Sequence, residues 1–291
     1  MKKHIPLICL CFIALLLTSC GFGGKGEFKA DKEIAVFSRE DGSGTRTAFT
    51  EIFNIVEMGE NGTRKDRTTK EAVIAKQTDV LMSGIASDRY SIGYLSLGSV
   101  NKTIKLISID GIYPTAETVK NGTYAVSRPF IIVTKKEISP ATQDFINFML
   151  SKEGQAVAAE SYISAVDNAP EFNSSMPSGK VVVAGSSSVT PVMEKLKEAY
   201  IEINPNAIIE IQLSDSSSGI QGVIDGTCDI GMSSRHLKDS EKAVLDQHTI
   251  ALDGIAIVVN KNNPINNLSS EQIKAVFKGE ITRWRELIEQ G

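Results

Sequence analysis

Arg39, Asp41, Ser43 and Thr45 alternate with Glu40, Gly42 and Gly44 in the run Arg39-Glu40-Asp41-Gly42-Ser43-Gly44-Thr45-Arg46. An arginine offers a planar fork of charge, and serine and threonine offer neutral hydroxyl donors. The two glycines let backbone N–H groups approach a ligand closely. Together these residue types describe a small anion site. Serine and glycine at a helix start also serve as plain capping, so one motif leaves both readings open.

The flanking residues say what must hold this turn. Ile34–Phe37 is a short apolar run that reads as a buried strand, and Ala48, Phe49, Ile52, Phe53 and Val56 mark one apolar face of a helix. A strand–turn–helix aims unpaired N–H groups and the positive end of the helix dipole at whatever sits over the turn. The pattern recurs. Val181–Ala184 leads through Gly185–Thr190 into a helical stripe, and Ile208–Leu213 leads through Ser214–Gly219 into a short helix. A fourth polar turn, Ser233–Arg235, follows the strand Asp229–Met232. Such turns lie at the carboxyl ends of strands in open α/β sheets, where ligands bind. Three of them facing one crevice make a cage of hydroxyls and amides.

The remaining pattern is also α/β. Helices are expected around Thr78–Ala86, from Pro140, and after the capping-box pair Ser269 and Gln272. Further strands are expected at Ile92–Leu97, Ile104–Ile109 and Phe130–Val133, with a long one at Ile250–Val259 interrupted by Asp253-Gly254. Gly59–Lys70 reads as a loop and Ala169–Gly179 as a connector. Residues 1–20 read as a leader: Lys2 and Lys3, the apolar stretch Ile5–Leu17, then Leu17-Thr18-Ser19-Cys20. This segment resembles the bacterial lipoprotein signal, which implies a palmitate-type lipid anchor on Cys20, with 21–30 as a flexible tether. Cys9 and Cys11 fall in the leader, so Cys228 is left alone, as a buried core thiol with no internal disulfide. With 42% apolar residues the chain can fill a sizeable core. A formal charge of −4 argues against nucleic acid, and makes an anion site depend on local donors.

Several separate segments resemble the bacterial phosphate-binding lipoproteins of ATP-driven uptake systems. Gly185–Met193, Ser216–Ile220, Asp229–Arg235, Ile250–Ala256 and Phe277–Trp284 look like parts of that family's first half. Ser38–Arg46, Ile92–Ser96 and Arg128–Val133 look like parts of its second half. The halves stand in reversed order, which implies a circular permutation with new ends between the Trp284 helix and the Ile34 strand. The resemblance implies an α/β fold of the periplasmic-binding-protein type 2. It would have two lobes, each a mixed sheet flanked by helices, joined by a hinge that the chain crosses twice. One lobe would be discontinuous, 31–127 plus 260–291, and the other continuous, 128–259.

The resemblance also implies roles. Ser187 with the Ser188 amide, Ser216, and Arg39, Asp41, Ser43, Gly44 and Thr45 would hold inorganic phosphate, with Ser234 lining the same site. Many members carry an aspartate at the position of Ser234. That carboxylate can accept the P–O–H of phosphate and faces sulfate as an unpaired like charge. Asp41 could take over this role, or could orient Arg39 instead. Arg235 and Arg46 are either extra donors or structural ion pairs. The expected partners are membrane permease subunits of an ABC phosphate transporter, served by a monomer on the extracytoplasmic face. No cofactor or metal is expected.

An enzyme is the contrasting class. His236 and His248 lie in no triad-like or metal-ligand context, no Gly-x-Ser-x-Gly elbow is present, and Gly42–Thr45 lacks the lysine of a P-loop. Catalysis is therefore not expected. Receptors for sulfate or molybdate, and a surface adhesin or sensor reusing the fold, are the other readings.

Overall fold

The computed structural model describes residues 27–59 and 63–288. The expected lipid attachment at Cys20, the leader 1–20 and most of the 21–30 tether lie outside the described residues.

Ten strands join in one mixed sheet. In chain order they are β1 (Ala35–Arg39), β2 (Val73–Ala75), β3 (Ser91–Ser96), β4 (Ile104–Leu106), β5 (Ser127–Thr134), β6 (Ile163–Ser164), β7 (Gly179–Ser186), β8 (Ala207–Ser214), β9 (Ile230–Ser233) and β10 (Asp246–Asn260). Across the sheet they run β8-β7-β9-β5-β10-β3-β1-β2, with β4 and β6 also paired to β10. At one end β7 is parallel to β8 and β9, and at the other β1 is parallel to β2 and β3. Of these, β3 and β9 are buried along their whole length, whereas the edge strands β2 and β8 keep exposed residues. The helices that matter for the site are α1 (Gly44–Ile52), α2 (Thr78–Ser87), α3 (Pro140–Leu150), α4 (Lys152–Ala159), α5 (Thr190–Ile203), α6 (Ser216–Asp225) and α7 (Ser270–Lys278).

The fifteen-residue β10 ties the two ends of the sheet together. Asp246–Gly254 pairs antiparallel with β5, and Ile255–Val259 pairs antiparallel with β3. The expected interruption at Asp253-Gly254 is not a break in the strand. The backbone stays extended and only its partner changes, where a side chain on Gly254 would crowd Val119 and Leu97. The change falls at Gly254–Ile255, ahead of the 259/260 boundary drawn from the sequence. Accordingly Ile255, Ile257 and Val259 pack with Val36, Phe49, Tyr94, Phe277 and Trp284, in the core of the discontinuous part. There Phe49 stacks on Tyr94 at 3.8 Å between ring centroids and meets Phe277 edge-on. The core on the other side gathers Phe130, Phe145, Met149, Val181, Val183, Leu196, Tyr200 and Ile230.

Local chemistry explains most boundaries. Ser43 caps α1, accepting the Arg46 N–H, and Pro140 opens α3 behind the Ser139 cap. Ser269 and Gln272 form the reciprocal capping box of α7. Helix α1 stops before Val56, because Asn54 takes a left-handed backbone (φ 50°) that ends the helical run. Val56 instead starts a short strand, Val56–Met58, antiparallel to Arg64–Asp66 inside the segment read as a loop. The single strand expected over Ile104–Ile109 is split into Ile104–Leu106 and Ser108–Ile109. The connector after Ala169 is pinned rather than loose. Phe172 N–H donates to Glu153, Ser174 Oγ to Asp144, and Asn204 Nδ2 to the Pro177 carbonyl. The two ends of the described chain meet: Ile34 N–H donates to Thr282 O and Arg285 N–H to Ala30 O, each 2.8 Å.

Candidate functional site

Four helix N-termini converge where the two halves of the sheet meet. Helices α1 and α2 follow β1 and β2, and α5 and α6 follow β7 and β8. Their first turns carry Ser43, Gly44 and Thr45, then Thr78, then Ser187 and Ser188 just ahead of α5, and finally Ser216. The side chains of Ser43, Thr45, Thr78, Ser187, Ser188, Ser216 and Ser234 are all buried. Each helix brings unpaired N–H groups and partial positive charge, so the convergence favours an anion without any net positive field.

Arg39 supplies the formal charge. Its side chain is 1% exposed at the end of β1. Nε and Nη2 donate to the two carboxylate oxygens of Glu40, at 2.9 and 2.8 Å, and Nε also donates to Ala75 O. The outward edge of the fork meets hydroxyls: Nη2 donates to Ser187 Oγ at 2.9 Å and Nη1 to Thr78 Oγ1 at 3.3 Å. Behind it, Tyr94 OH accepts the Arg39 N–H and shares a hydrogen bond with Ser38 Oγ. Burial pushes the Tyr94 phenol above its ordinary value, so it stays protonated and neutral.

The hydroxyls interlock across the seam. Thr45 Oγ1 and Ser188 Oγ are 2.8 Å apart, and Thr78 Oγ1 lies 3.3 Å from both Ser187 Oγ and Ser188 Oγ. Ser216 Oγ accepts the Ser234 N–H, and Ser186 Oγ donates to Ser234 Oγ. The backbone closes the same seam, Ser217 N–H donating to Gly42 O at 3.2 Å. Gly44 is required here, since a Cβ at this position would overlap Ser216 Oγ and Ser234 Oγ from the opposite side. The structure is thus a closed arrangement, with the donors of one half seated against those of the other.

Of the residues singled out in the sequence, Arg39, Gly44, Thr45, Ser187, Ser188, Ser216 and Ser234 come together, and Ser43 lies beside them as the α1 cap. Asp41 does not. Its side chain is 97% exposed and pairs with Arg46 at 2.8 Å, so it neither orients Arg39 nor offers an acceptor to the cluster. The residue that orients Arg39 is Glu40, which follows the last residue of β1 and turns its carboxylate back onto the guanidinium. Arg46 and Arg235 are engaged in ion pairs. Arg46 bonds Asp66 and the Arg39 carbonyl, while Arg235 forks onto Glu241. Burial raises the Glu241 carboxyl, yet the hydrogen bonds from Arg235 and the Lys238 N–H and the positive charge of both side chains together outweigh it, and the net shift is downward. Thr78, Glu40 and Ser186 were not read as site residues. Thr78 had a usable signal, a strand-to-helix turn of the same kind but without glycine. Beside the cluster a cleft of about 330 Å³ opens on the seam, lined by Arg46, Arg64, Arg235 and Lys238 together with Asp41, Asp66 and Ser217.

A family model described as the PBP superfamily domain matches residues 25–153 and 171–291. The chain belongs to the PBP superfamily. Within this superfamily it is 46% identical over 293 residues to the phosphate-binding protein PstS 2 of Streptococcus agalactiae serotype V, covering 99% of each chain. It is 42% identical over 286 residues to the phosphate-binding protein PstS 2 of Streptococcus pneumoniae serotype 4, covering 97% of this chain and 98% of that one. Its fold is similar to the solved structure of a phosphate-binding protein of a phosphate ABC transporter from Streptococcus pneumoniae. That similarity has a TM-score of 0.71 at 43% identity and spans 88% of this chain and 100% of the other. Among the described residues, no helix is long and apolar enough to cross a membrane, and no group of three or more His, Cys, Asp or Glu could hold a metal ion.

Proposed function

We propose that this protein captures inorganic phosphate between its two lobes and delivers it to the permease of an ABC phosphate transporter. The observation that carries the reading is the meeting of Arg39 with Ser187 and Thr78 at the convergence of four helix N-termini. A phosphate held there would take the guanidinium fork on one side and hydroxyl and amide donors on the others. Hydrogen bonds involving a charge contribute roughly 1.5–3 kcal/mol each, so several are needed to offset the dehydration of a small anion. Arg39, Ser43, Gly44 and Thr45 act from one lobe, and Ser187, Ser188, Ser216 and Ser234 from the other. Thr78 completes the shell. Closure of the part carrying Arg39 onto the part carrying Ser187 is a hinge motion driven by the ligand, with β10 crossing between them at Gly254–Ile255.

In this proposal the protein acts as a monomer on the extracytoplasmic face, anchored by lipid on Cys20 and without catalytic activity. The reversed order of its halves is a circular permutation. The adjacency of Ile34 with Thr282 and of Ala30 with Arg285 supports that reading, because joined ends can be moved without disturbing a compact fold.

One observation favours a broader ligand range. Among the described residues, the carboxylates nearest the cluster are engaged elsewhere: Glu40 holds Arg39, Asp215 caps α6 at Ser218, and Asp41 pairs with Arg46. The P–O–H must then donate to a hydroxyl or carbonyl oxygen, and a sulfate meets no like charge. Calorimetric titration with phosphate and sulfate across pH tests both points. Heat with phosphate supports the main reading, and comparable affinity for sulfate supports the broader one. No heat with either anion would leave the adhesin or sensor reading.

A further inference from the structure

Arg128 and Asp253 form an ion pair beside the Ser234 turn of the cluster, at the point where β10 changes partner. They face each other in the β5–β10 register, with Nη2 3.2 Å from Oδ2, and each side chain is only 1% exposed. Burial pushes the Asp253 carboxyl up and the Arg128 guanidinium down, so each charge depends on its partner. Arg128 also lies over the Phe130 ring, with its charge centre 5.4 Å from the centroid.

The remaining valences of the pair reach in opposite directions. Arg128 Nη1 donates to the Ser234 carbonyl at 3.2 Å, on the turn whose N–H is held by Ser216 and whose hydroxyl is held by Ser186. Asp253 Oδ1 accepts Ser96 Oγ at 2.9 Å and the Gly98 N–H at 3.4 Å, at the end of β3 and in the turn after it. Asp253 is registered on β5, whereas Ser96 ends β3 and Gly98 lies in the turn after it, so Oδ1 bridges the place where β10 changes partner.

We infer that Arg128 and Asp253 are positioning residues that couple the Ser234 turn of the anion site to closure of the lobes. This rests on the phosphate reading. Seating an anion fixes the Ser234 turn, that turn holds Arg128, and Arg128 holds Asp253 in the position that Ser96 and Gly98 complete across the hinge. The coupling is thus a short contact chain from the Ser234 carbonyl through Arg128 and Asp253 to Ser96 and Gly98, not an action at a distance.

The test uses Asp253→Asn, which keeps an acceptor for Ser96 but removes the charge that holds Arg128, and Ser96→Ala, which leaves the pair intact and removes one contact across the hinge. Should Asp253→Asn fail to fold, Ser96→Ala carries the test alone. Phosphate affinity is measured by calorimetry, and compaction on adding phosphate by small-angle scattering. Expected is a phosphate Kd raised about tenfold or more, with incomplete compaction at saturation and unchanged circular dichroism. Lower thermal stability with wild-type affinity and wild-type compaction would make the pair merely structural and overturn the coupling. Wild-type protein that does not bind phosphate would overturn the phosphate reading along with it.

Discussion

Arg39 Nη2 lies 2.9 Å from Ser187 Oγ, across the seam between a strand end of one lobe and a helix start of the other. Both oxygens of Glu40 hold the same guanidinium from behind, so the fork is fixed before any ligand arrives. Arg39→Ala is expected to weaken phosphate binding by about 3 kcal/mol, roughly a hundredfold, as charge-assisted bonds are lost. Arg39→Lys should also bind weakly, because a point charge cannot replace the fork. Calorimetric titration of both variants checks this, and wild-type affinity in Arg39→Ala would mean the loop is misassigned.

Thr78→Val keeps the shape of the side chain and removes the hydroxyl that meets Arg39, Ser187 and Ser188. Phosphate affinity should fall by roughly tenfold, about 1.4 kcal/mol, with far-ultraviolet circular dichroism unchanged. An unchanged Kd would place Thr78 outside the shell.

Gly44→Ala puts a methyl group against Ser216 and Ser234 only when the lobes are closed. The ligand-free protein should unfold at nearly the wild-type temperature, since Ala suits a helix start at least as well as Gly. Compaction on adding phosphate, read by small-angle scattering, should be lost.

Ser234→Asp introduces a carboxylate beside Ser186 and Ser216. It should reduce sulfate binding far more than phosphate binding, because only phosphate brings a proton to the new acceptor. Competition titrations at neutral pH read the ratio. Equal losses for the two anions would show that the acceptor at this position does not set selectivity.

Glu241 provides a pH prediction. Its folded carboxyl titrates below the ordinary glutamate value, because hydrogen bonds from Arg235 and Lys238 and their positive charge together overcome the effect of burial. A depressed folded value means that the stabilisation is complete above the unfolded pKa and is lost as pH falls through the folded one. Wild-type protein should therefore melt higher than Glu241→Gln at pH 7, and the gap in Tm should narrow as the pH drops below 4.5. A gap that does not change with pH would assign the effect to packing alone.

Much of this was legible in the sequence, for identifiable reasons. The turns at Asp41–Thr45, Gly185–Thr190 and Ser214–Gly219 announce themselves through serine and glycine between an apolar run and a helical stripe, because strand ends and helix caps are local chemistry. Asp41 was misplaced because sequence spacing does not say which way a carboxylate turns. Glu40, one residue earlier and just past β1, turns back onto Arg39, and Asp41 turns to Arg46. Thr78 was missed because its turn has no glycine. The continuity of β10 through Asp253-Gly254 was missed because a charged residue beside glycine reads as a turn. Only the tertiary partner, Arg128, makes a buried aspartate tolerable inside a strand.

The most direct measurement is a crystal structure of the protein soaked with arsenate, whose anomalous scattering marks a phosphate-like anion. One strong peak should lie between the lobes, within hydrogen-bonding distance of Arg39, Thr45, Thr78, Ser187 and Ser216. A peak elsewhere, or none at saturating arsenate, would contradict the assignment of this cluster as the anion site.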